Sequence, residues 1–216
     1  MQISRILSCA VVFLASVLSY QPTSYGQTGE SALKGLLVRG RAVAVIPQSS
    51  ADITVIGGDT ELSNAYVPEL DLTWFFTPNI AVEAIAAITP HDVEATGTTL
   101  GTVDLGSVWL LPPTVLLQYH HPFANGFKPY VGAGVNYTVF FDEDAPGGTV
   151  TSIDYENSFG WALQFGMDYM LNDHWLVNVD VKKLFLSTDV NLNGGAIKAD
   201  VDIDPWLVGA GIGYRF

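Results

Sequence analysis

Apolar and polar residues alternate with a period of two along much of this chain, and the pattern is clearest at the carboxyl terminus. In the final stretch, LVGAGIGYRF, one strand face is apolar and the other holds three glycines and Arg215. The apolar face consists of Val208, Ala210, Ile212, Tyr214 and Phe216. Strand side chains point alternately to the two faces of a sheet, so this segment is predicted to be a β-strand. An apolar face paired with a face of small residues suits a barrel wall with lipid outside and packed side chains within.

Similar period-two segments recur between turn signals, and we predict that each is a strand. They cover residues 35–46, 66–76, 80–89, 114–121, 128–141, 159–170, 174–187 and 201–216. Tight turns alternate with long loops, which cover roughly residues 47–65, 90–113, 142–158 and 188–200. Single-chain bacterial barrels have an even number of strands, short periplasmic turns and longer extracellular loops. The predicted fold class is therefore all-β, an eight-stranded antiparallel transmembrane β-barrel.

The amino terminus has the features of a signal peptide. Arg5 precedes an apolar run over residues 6–17, which is too short to span a bilayer as a helix. Ser24 and Gly26 suit a cleavage before Gln27, although other bonds nearby also fit. We expect a signal peptide over residues 1–26 and one barrel domain over residues 27–216. The single cysteine, Cys9, would be removed with the signal peptide, which agrees with export.

Composition and charge narrow the range of partners. The chain is 49% hydrophobic and 14% charged, which is usual for a small membrane barrel. Removal of Arg5 leaves 8 basic residues against 22 acidic ones, a net charge of −14, which disfavours nucleic acid as a partner. Most acids lie in the predicted extracellular loops, and Asp142, Glu143 and Asp144 form the densest group. These acids either form a solvated surface or bridge to lipopolysaccharide through divalent cations.

The outward faces of the predicted strands carry aromatic residues suited to the two membrane interfaces, so we expect contact with outer-membrane lipid. They are Tyr66, Trp74, Phe76, Phe141, Trp161, Tyr169, Trp175, Trp206 and Tyr214. The opposite parity places charged side chains in the lumen, where opposite charges can pair. The predicted ion-pair network consists of Arg39, Arg41, Glu69, Asp71, Glu83 and Lys182. Gln118, His120, Asp180 and Arg215 share the inward parity. Since eight strands enclose little more than their own side chains, we interpret the network as structural rather than as a transport site.

No pattern indicates catalysis, a cofactor or a metal. The sequence GAGIG at residues 209–213 lacks the spacing of a dinucleotide-binding loop, and no helix follows it. The four histidines, His91, His120, His121 and His174, lack metal-ligand spacing. A lipid-acting hydrolase in the barrel wall is the enzymatic alternative, and no nucleophile motif supports it. We predict that the protein is not an enzyme.

One predicted loop is more apolar than is expected for a segment exposed to water. Its end, Val108–Pro113 in the sequence VWLLPP, suggests an apolar patch on the barrel rim or a funnel for hydrophobic molecules, and both can hold. We predict first contacts with a hydrophobic ligand from Leu100, Val103, Leu105, Trp109, Leu110, Leu111 and Phe159.

Several motifs closely resemble the outer membrane protein W (OmpW) family of small Gram-negative barrels. They are Leu-Pro-Pro-Thr at residues 111–114, KPYVGAGVNYT at 128–138 with FFD at 140–142, DHWLVN at 173–178, DPW at 204–206 and GYRF at 213–216. The resemblance implies an eight-stranded barrel with a narrow, hydrophobic interior that passes small hydrophobic molecules inward and sideways into the membrane, without a cofactor. Trp109 and Leu110 stand where the family pattern has a histidine pair.

Two functions from different classes follow. The first is a passive conduit or binding site for small hydrophobic molecules in the outer membrane of a Gram-negative bacterium. The second is a structural or adhesive surface barrel with a plugged lumen, which contacts lipopolysaccharide, host factors or phage. In both, we expect the barrel-assembly machinery to read the carboxyl-terminal strand. An ordered plug would favour the second function, and a continuous apolar path would favour the first.

Overall fold

The computed structural model describes residues 35–53, 58–99, 101–147 and 150–216. The predicted signal peptide and its cleavage site before Gln27 lie outside these residues. Eight antiparallel strands close into a barrel, as predicted from the sequence. They are β1 (Leu36–Ile46), β4 (Ala65–Phe75), β5 (Ile80–Ala87), β8 (Thr114–His120), β9 (Phe127–Asp144), β11 (Ser158–Met170), β12 (Trp175–Phe185) and β15 (Trp206–Arg215). Each strand pairs with its neighbours in chain order, and β15 closes the ring against β1, with Arg215 opposite Leu37.

The predicted long loops are largely strands, which is a correction to the sequence interpretation. They contain β2 (Ser50–Ile53), β3 (Asp59–Leu62), β6 (Thr89–Thr98), β7 (Gly101–Leu111), β10 (Ile153–Tyr155), β13 (Ser187–Leu192), the 3-10 helix η1 (Asn193–Gly195) and β14 (Ile197–Asp202). These strands extend the wall past the outward-facing aromatic residues Tyr66, Trp161 and Trp206. They form two sheets, one of β3, β6, β7 and the upper part of β9, the other of β10, β13, β14 and β2. We call this two-sheet extension the cap.

Prolines mark several boundaries between barrel and cap. Pro47 follows β1, Pro112 and Pro113 separate β7 from β8, and Pro205 precedes β15. A proline has no N–H to donate to a strand ladder, so it interrupts the pairing and lets the chain bend. The final predicted segment, 201–216, is divided in this way into β14 and β15.

The side chains of the barrel wall divide into an outward and an inward set, as the period-two alternation of the sequence predicted. The aromatic side chains of the predicted girdles point away from the lumen, and Tyr66, Trp161, Trp175 and Trp206 are strongly exposed. The inward faces of the cap sheets meet in an apolar core that includes Val93 and Leu105 from one sheet and Val190 and Val201 from the other. The lumen therefore lies below a packed roof.

Candidate functional site

The lower half of the lumen is crossed by a buried ion-pair network built around Arg39. Its Nε lies 3.0 Å from Asp71 Oδ1 and its Nη2 lies 2.7 Å from Glu83 Oε1. Its Nη1 reaches across the barrel to Asp168, 3.2 Å away, and Thr73 Oγ1 accepts a further bond of 2.8 Å from Nη2. Arg39 is fully buried. All three nitrogens of its guanidinium thus have partners within the protein.

Arg41 and Lys182 extend the network toward the cap. Arg41 Nη1 forms an ion pair of 2.7 Å with Asp180 Oδ2, and its Nη2 contacts both Asp71 and Glu83. Lys182 Nζ lies 2.8 Å from Glu69 Oε1 and 3.1 Å from Asp180 Oδ1. All six residues named from the sequence lie in this one network, and Asp168 and Asp180 join them.

Two amides complete the crossing. Gln118 Nε2 and Gln164 Nε2 each donate to Glu83 Oε2 over 2.8 Å, and Gln164 Nε2 also lies 2.6 Å from Asp180 Oδ2. A buried charge is stable only when its partners satisfy it, so these contacts hold one another in place. We call this network of eight charged groups and two amides the plug.

The glycines of the final strand make room for the plug. A Cβ on Gly213 would lie 2.7 Å from Arg39 Cγ, and a Cβ on Gly211 would lie 2.9 Å from Arg41 Cγ. Larger side chains there would displace the arginines. The GAGIG sequence is therefore a packing feature of the lumen, as its inward parity indicated.

Above the plug lies an apolar chamber, which is the candidate binding site. Its floor is the Glu69 and Lys182 side chains, and the cap lies on the opposite side. The apolar lining comes from Val43, Val45, Pro47, Val67, Ile85, Ala87, Leu110, Pro112, Leu184, Leu186, Ile203, Pro205 and Leu207. Thr89, His91, Thr114 and Thr138 add a few polar atoms. The free space is about 30 Å³, enough for one or two waters, so a larger ligand requires the walls to move.

The barrel wall beside the chamber has a gap in its hydrogen-bond ladder. Pairing of β4 with β5 begins at Glu69, opposite Ala87. Pairing resumes where β3 meets β6, and Ser63 N donates to Asp92 O over 3.0 Å. Between these points residues 65–68 pair with β1 on one side only, and no backbone hydrogen bond joins them to residues 88–91, all of which the structure describes. Pro68 lies within this stretch. We call this region the wall gap.

The rim residues predicted from the sequence do not share one surface. Leu110 lines the chamber, Leu105 and Leu111 are buried, and Val103 packs partly buried against the cap core. Trp109 and Phe159 point outward, 39% and 71% exposed, and Trp109 packs against Phe141 with ring centroids 6.4 Å apart. Leu100 lies outside the described residues.

Most of the chamber wall was not predicted from the sequence. Val43, Val67, Ile85 and Leu207 lie on the same inward parity as the plug residues, one or two steps nearer the cap. Each of these chamber residues can be found in the sequence by continuing the inward-facing alternation of its strand beyond the charged positions, toward the cap. The apolar composition of the VWLLPP segment led instead to the prediction that Trp109 contacts the ligand.

Two kinds of feature are absent from the described residues. No group of three His, Cys, Asp or Glu side chains is arranged to hold a metal ion in the described ranges. No helix in the part of the chain that the structure describes is long and apolar enough to cross a membrane.

Comparison with known proteins agrees with this geometry. The chain is 41% identical to an uncharacterized outer-membrane protein, y4mB, of Sinorhizobium fredii, over 94% of this chain and 89% of that protein. It is 38% identical to outer membrane protein W of Vibrio cholerae, over 96% and 98% of the two chains. A relative from Pseudomonas aeruginosa, named dibenzothiophene metabolism operon protein PahQ, is 33% identical over 75% and 77%.

A solved structure supports the same assignment. The crystal structure of the outer membrane protein OprG from Pseudomonas aeruginosa matches with a TM-score of 0.77 and 35% identity, covering 85% of this chain and 96% of that one. The OmpW family model matches residues 34–216. The sequence motifs, the closed eight-stranded barrel and these matches agree: the protein is an outer-membrane β-barrel that belongs to the OmpW family.

Proposed function

We propose that the protein binds small hydrophobic molecules in the apolar chamber and releases them sideways into the outer membrane. The observation that carries the proposal is the position of the chamber, with an apolar wall, a charged floor and a gap in the ladder of one side wall. A hydrophobic molecule gains about 25 cal/mol per Å² of apolar surface that the chamber removes from water.

The plug decides the direction of release. Passage along the barrel axis would require a hydrophobic molecule to replace ion pairs that are almost fully buried. Breaking such pairs costs several kcal/mol, and an apolar molecule offers no compensating contact. Opening the wall gap breaks no ion pair, and the gap lies at the upper edge of the lipid-facing wall, beside the outward-facing Tyr66. A hydrophobic molecule that leaves there passes into lipid, where it is soluble. Lateral release is therefore favoured over axial passage.

The name of the Pseudomonas aeruginosa relative supports the ligand class. It is named for a dibenzothiophene metabolism operon, and dibenzothiophene is an apolar aromatic compound. We extend to this chain only the chemical class, a small and largely apolar molecule, and no catalytic role.

A cross-link across the wall gap tests this proposal. Continuing the β4–β5 register sets Val67 opposite Thr89, and both line the chamber. With Val67 and Thr89 replaced by cysteine and joined, uptake of radiolabelled naphthalene by cells should fall at least tenfold and recover on reduction. The matched control joins Leu70 and Ala86, which are already paired in the ladder. Equal uptake by the two linked variants would refute lateral release.

The ordered plug also favours the second candidate, a structural or adhesive barrel that transports nothing. In that case the acidic cap would meet lipopolysaccharide or an external partner, and its carboxyl-terminal strand would still be read by the assembly machinery. Cells that lack the protein would then take up naphthalene at the normal rate and show altered outer-membrane integrity or surface binding.

A further inference from the structure

His91 is a buried polar side chain of the chamber, and its Nδ1 has a hydrogen-bond partner. It lies on β6, in the cap, directly opposite Val108 of β7, and is 4% exposed. His91 lines the chamber together with apolar neighbours such as Leu110 and Pro112. A polar ring in such a setting is costly unless its nitrogens find partners.

One ring nitrogen is assigned by its partner. His91 Nδ1 lies 2.7 Å from the backbone carbonyl of Ser63. A carbonyl oxygen only accepts, so Nδ1 donates and holds the proton. Burial lowers the pKa of His91, against smaller opposing effects of the Ser63 carbonyl and the Asp92 carboxylate, so the ring is neutral at pH 7.

The other ring nitrogen is then an acceptor. In a neutral imidazole that is protonated on Nδ1, Nε2 offers a lone pair. In the part of the chain that the structure describes, the contact with Ser63 is the one hydrogen bond of the His91 side chain, which leaves the Nε2 lone pair without a partner.

The other polar atoms of the chamber do not duplicate this acceptor. Thr114 Oγ1 donates to Pro112 O over 3.0 Å, and the Glu69 carboxylate is held by Lys182. Thr89 also lines the chamber, and its hydroxyl can both donate and accept, so it does not discriminate between ligand types. Thr138 Oγ1 accepts from Asn136 Nδ2 over 3.2 Å. Among the side chains that line the chamber, His91 Nε2 is the neutral atom that can accept only.

We infer that His91 Nε2 selects, among the hydrophobic molecules that enter the chamber, those with a hydroxyl or N–H group. This inference rests on the proposed function and specifies its ligand class: an apolar body with one hydrogen-bond donor, such as a phenol or an alcohol. A net hydrogen bond between neutral groups corresponds to a preference of about two- to tenfold over a ligand that cannot donate.

A matched ligand pair tests the inference. 2-Naphthol and 2-methoxynaphthalene share one apolar ring system, and only the first donates. Binding of each to the purified full chain in lipid nanodiscs is measured by equilibrium dialysis, with protein-free nanodiscs as the blank. The wild-type protein should bind 2-naphthol about fivefold more tightly. An equal affinity for the two compounds would overturn the inference and leave the proposed function intact.

Two variants separate the acceptor from the fold. In His91→Asn the shorter amide can still donate to Ser63 O but leaves nothing at the Nε2 position, so both ligands should bind with the weaker affinity. In His91→Gln the amide oxygen can reach the Nε2 position, so the preference should persist. A preference retained by a folded His91→Asn protein would overturn the inference. Binding of neither compound to the folded wild-type protein would refute the proposed function and the inference together.

Discussion

The two halves of the lumen share the barrel strands, and the upper half adds residues of the cap strands β6 and β7. The halves differ in which contacts their inward side chains can offer a ligand. The plug satisfies its charges internally: Arg39 and Arg41 meet Asp71, Glu83 and Asp180, and the amides of Gln118 and Gln164 fill the remaining positions. The chamber a few residues higher is lined by Val, Ile, Leu and Pro side chains. The first half is specified by directional bonds, and the second by shape and burial, with His91 as its directional group.

The difference between the bonded plug and the apolar chamber indicates where the barrel can change shape. Moving any member of the plug leaves a partner charged, buried and unpaired, so the plug resists rearrangement. Apolar side chains exchange neighbours at lower cost, and substitutions that keep their volume are tolerated. We therefore assign mechanical stability to the plug and ligand-dependent opening to the chamber and the wall gap.

The largest expected effect comes from breaking the plug at one lysine. Lys182→Met leaves Glu69 and Asp180 without their ammonium partner and should reduce the free energy of unfolding by about 3–5 kcal/mol. Urea unfolding in detergent and the heat-modifiable gel band would measure the loss. Lys183 is the matched control because it is the next residue, faces outward over Trp206 and Phe185, and bonds to Gln48 and the Asp204 carbonyl. A similar loss in Lys183→Met would contradict the central role of the plug.

A smaller effect on stability and a large effect on uptake are expected from filling the chamber. Ala87 lines the chamber, whereas Ala86 lies on the outward face opposite Leu70. Ala87→Phe adds a ring where about 30 Å³ is free, so naphthalene uptake should fall tenfold or more, and overpacking should cost about 1–3 kcal/mol. Ala86→Phe adds the same ring toward lipid. Uptake is compared at equal amounts of folded protein in the membrane, and equal values for the two variants would show that the chamber is not on the route.

Much of this architecture follows from a period of two. Alternation along the sequence is enough to place Arg39, Glu69 and Lys182 on the lumen face, because a one-residue change of register would put all of them into lipid. The cap was missed for a physical reason. Its outward faces meet water, so Asp92 and Glu94 alternate with Val93 and Ala95, and a segment rich in acids and glycines resembles a loop.

The orientation of Trp109 shows a second limit. Trp109 and Leu110 are both apolar, and near a membrane interface either face of a strand accepts an apolar side chain. Only the pairing of β7 with β9, with Trp109 opposite Phe141 and Leu110 opposite Phe140, decides which one points inward. Pro112 and Pro113 interrupt the strand between β7 and β8. The inward-facing positions of β8 therefore do not predict which residues of β7 face inward.

The pairing of β7 with β9 allows a more specific prediction about the rim residues Trp109 and Leu110. Leu110→Ser removes apolar surface from the chamber, where a fully buried side chain contributes roughly 1.5–3 kcal/mol, so uptake at limiting concentration should fall threefold or more. Trp109→Ser changes a side chain outside the lumen and should leave uptake within twofold. The two variants are compared in cells at equal expression. A larger loss of uptake in Trp109→Ser than in Leu110→Ser would show that the ligand contacts the outer rim rather than the chamber.

The smallest expected effect is a pH dependence of stability at His91. Burial holds the pKa of His91 below the ordinary 6.5, so the unfolded chain takes up this proton at a higher pH than the folded protein does. As pH falls below 6.5 toward the lowered pKa, the unfolded state binds more protons, and the free energy of unfolding decreases. Asn does not titrate, so this part of the dependence should be absent in His91→Asn. Urea unfolding of both proteins between about pH 7.5 and about pH 5 isolates it, since all carboxylates are common to the two. Parallel curves would show that His91 is not buried in the folded chamber, and would remove the basis for treating its Nε2 as a neutral acceptor.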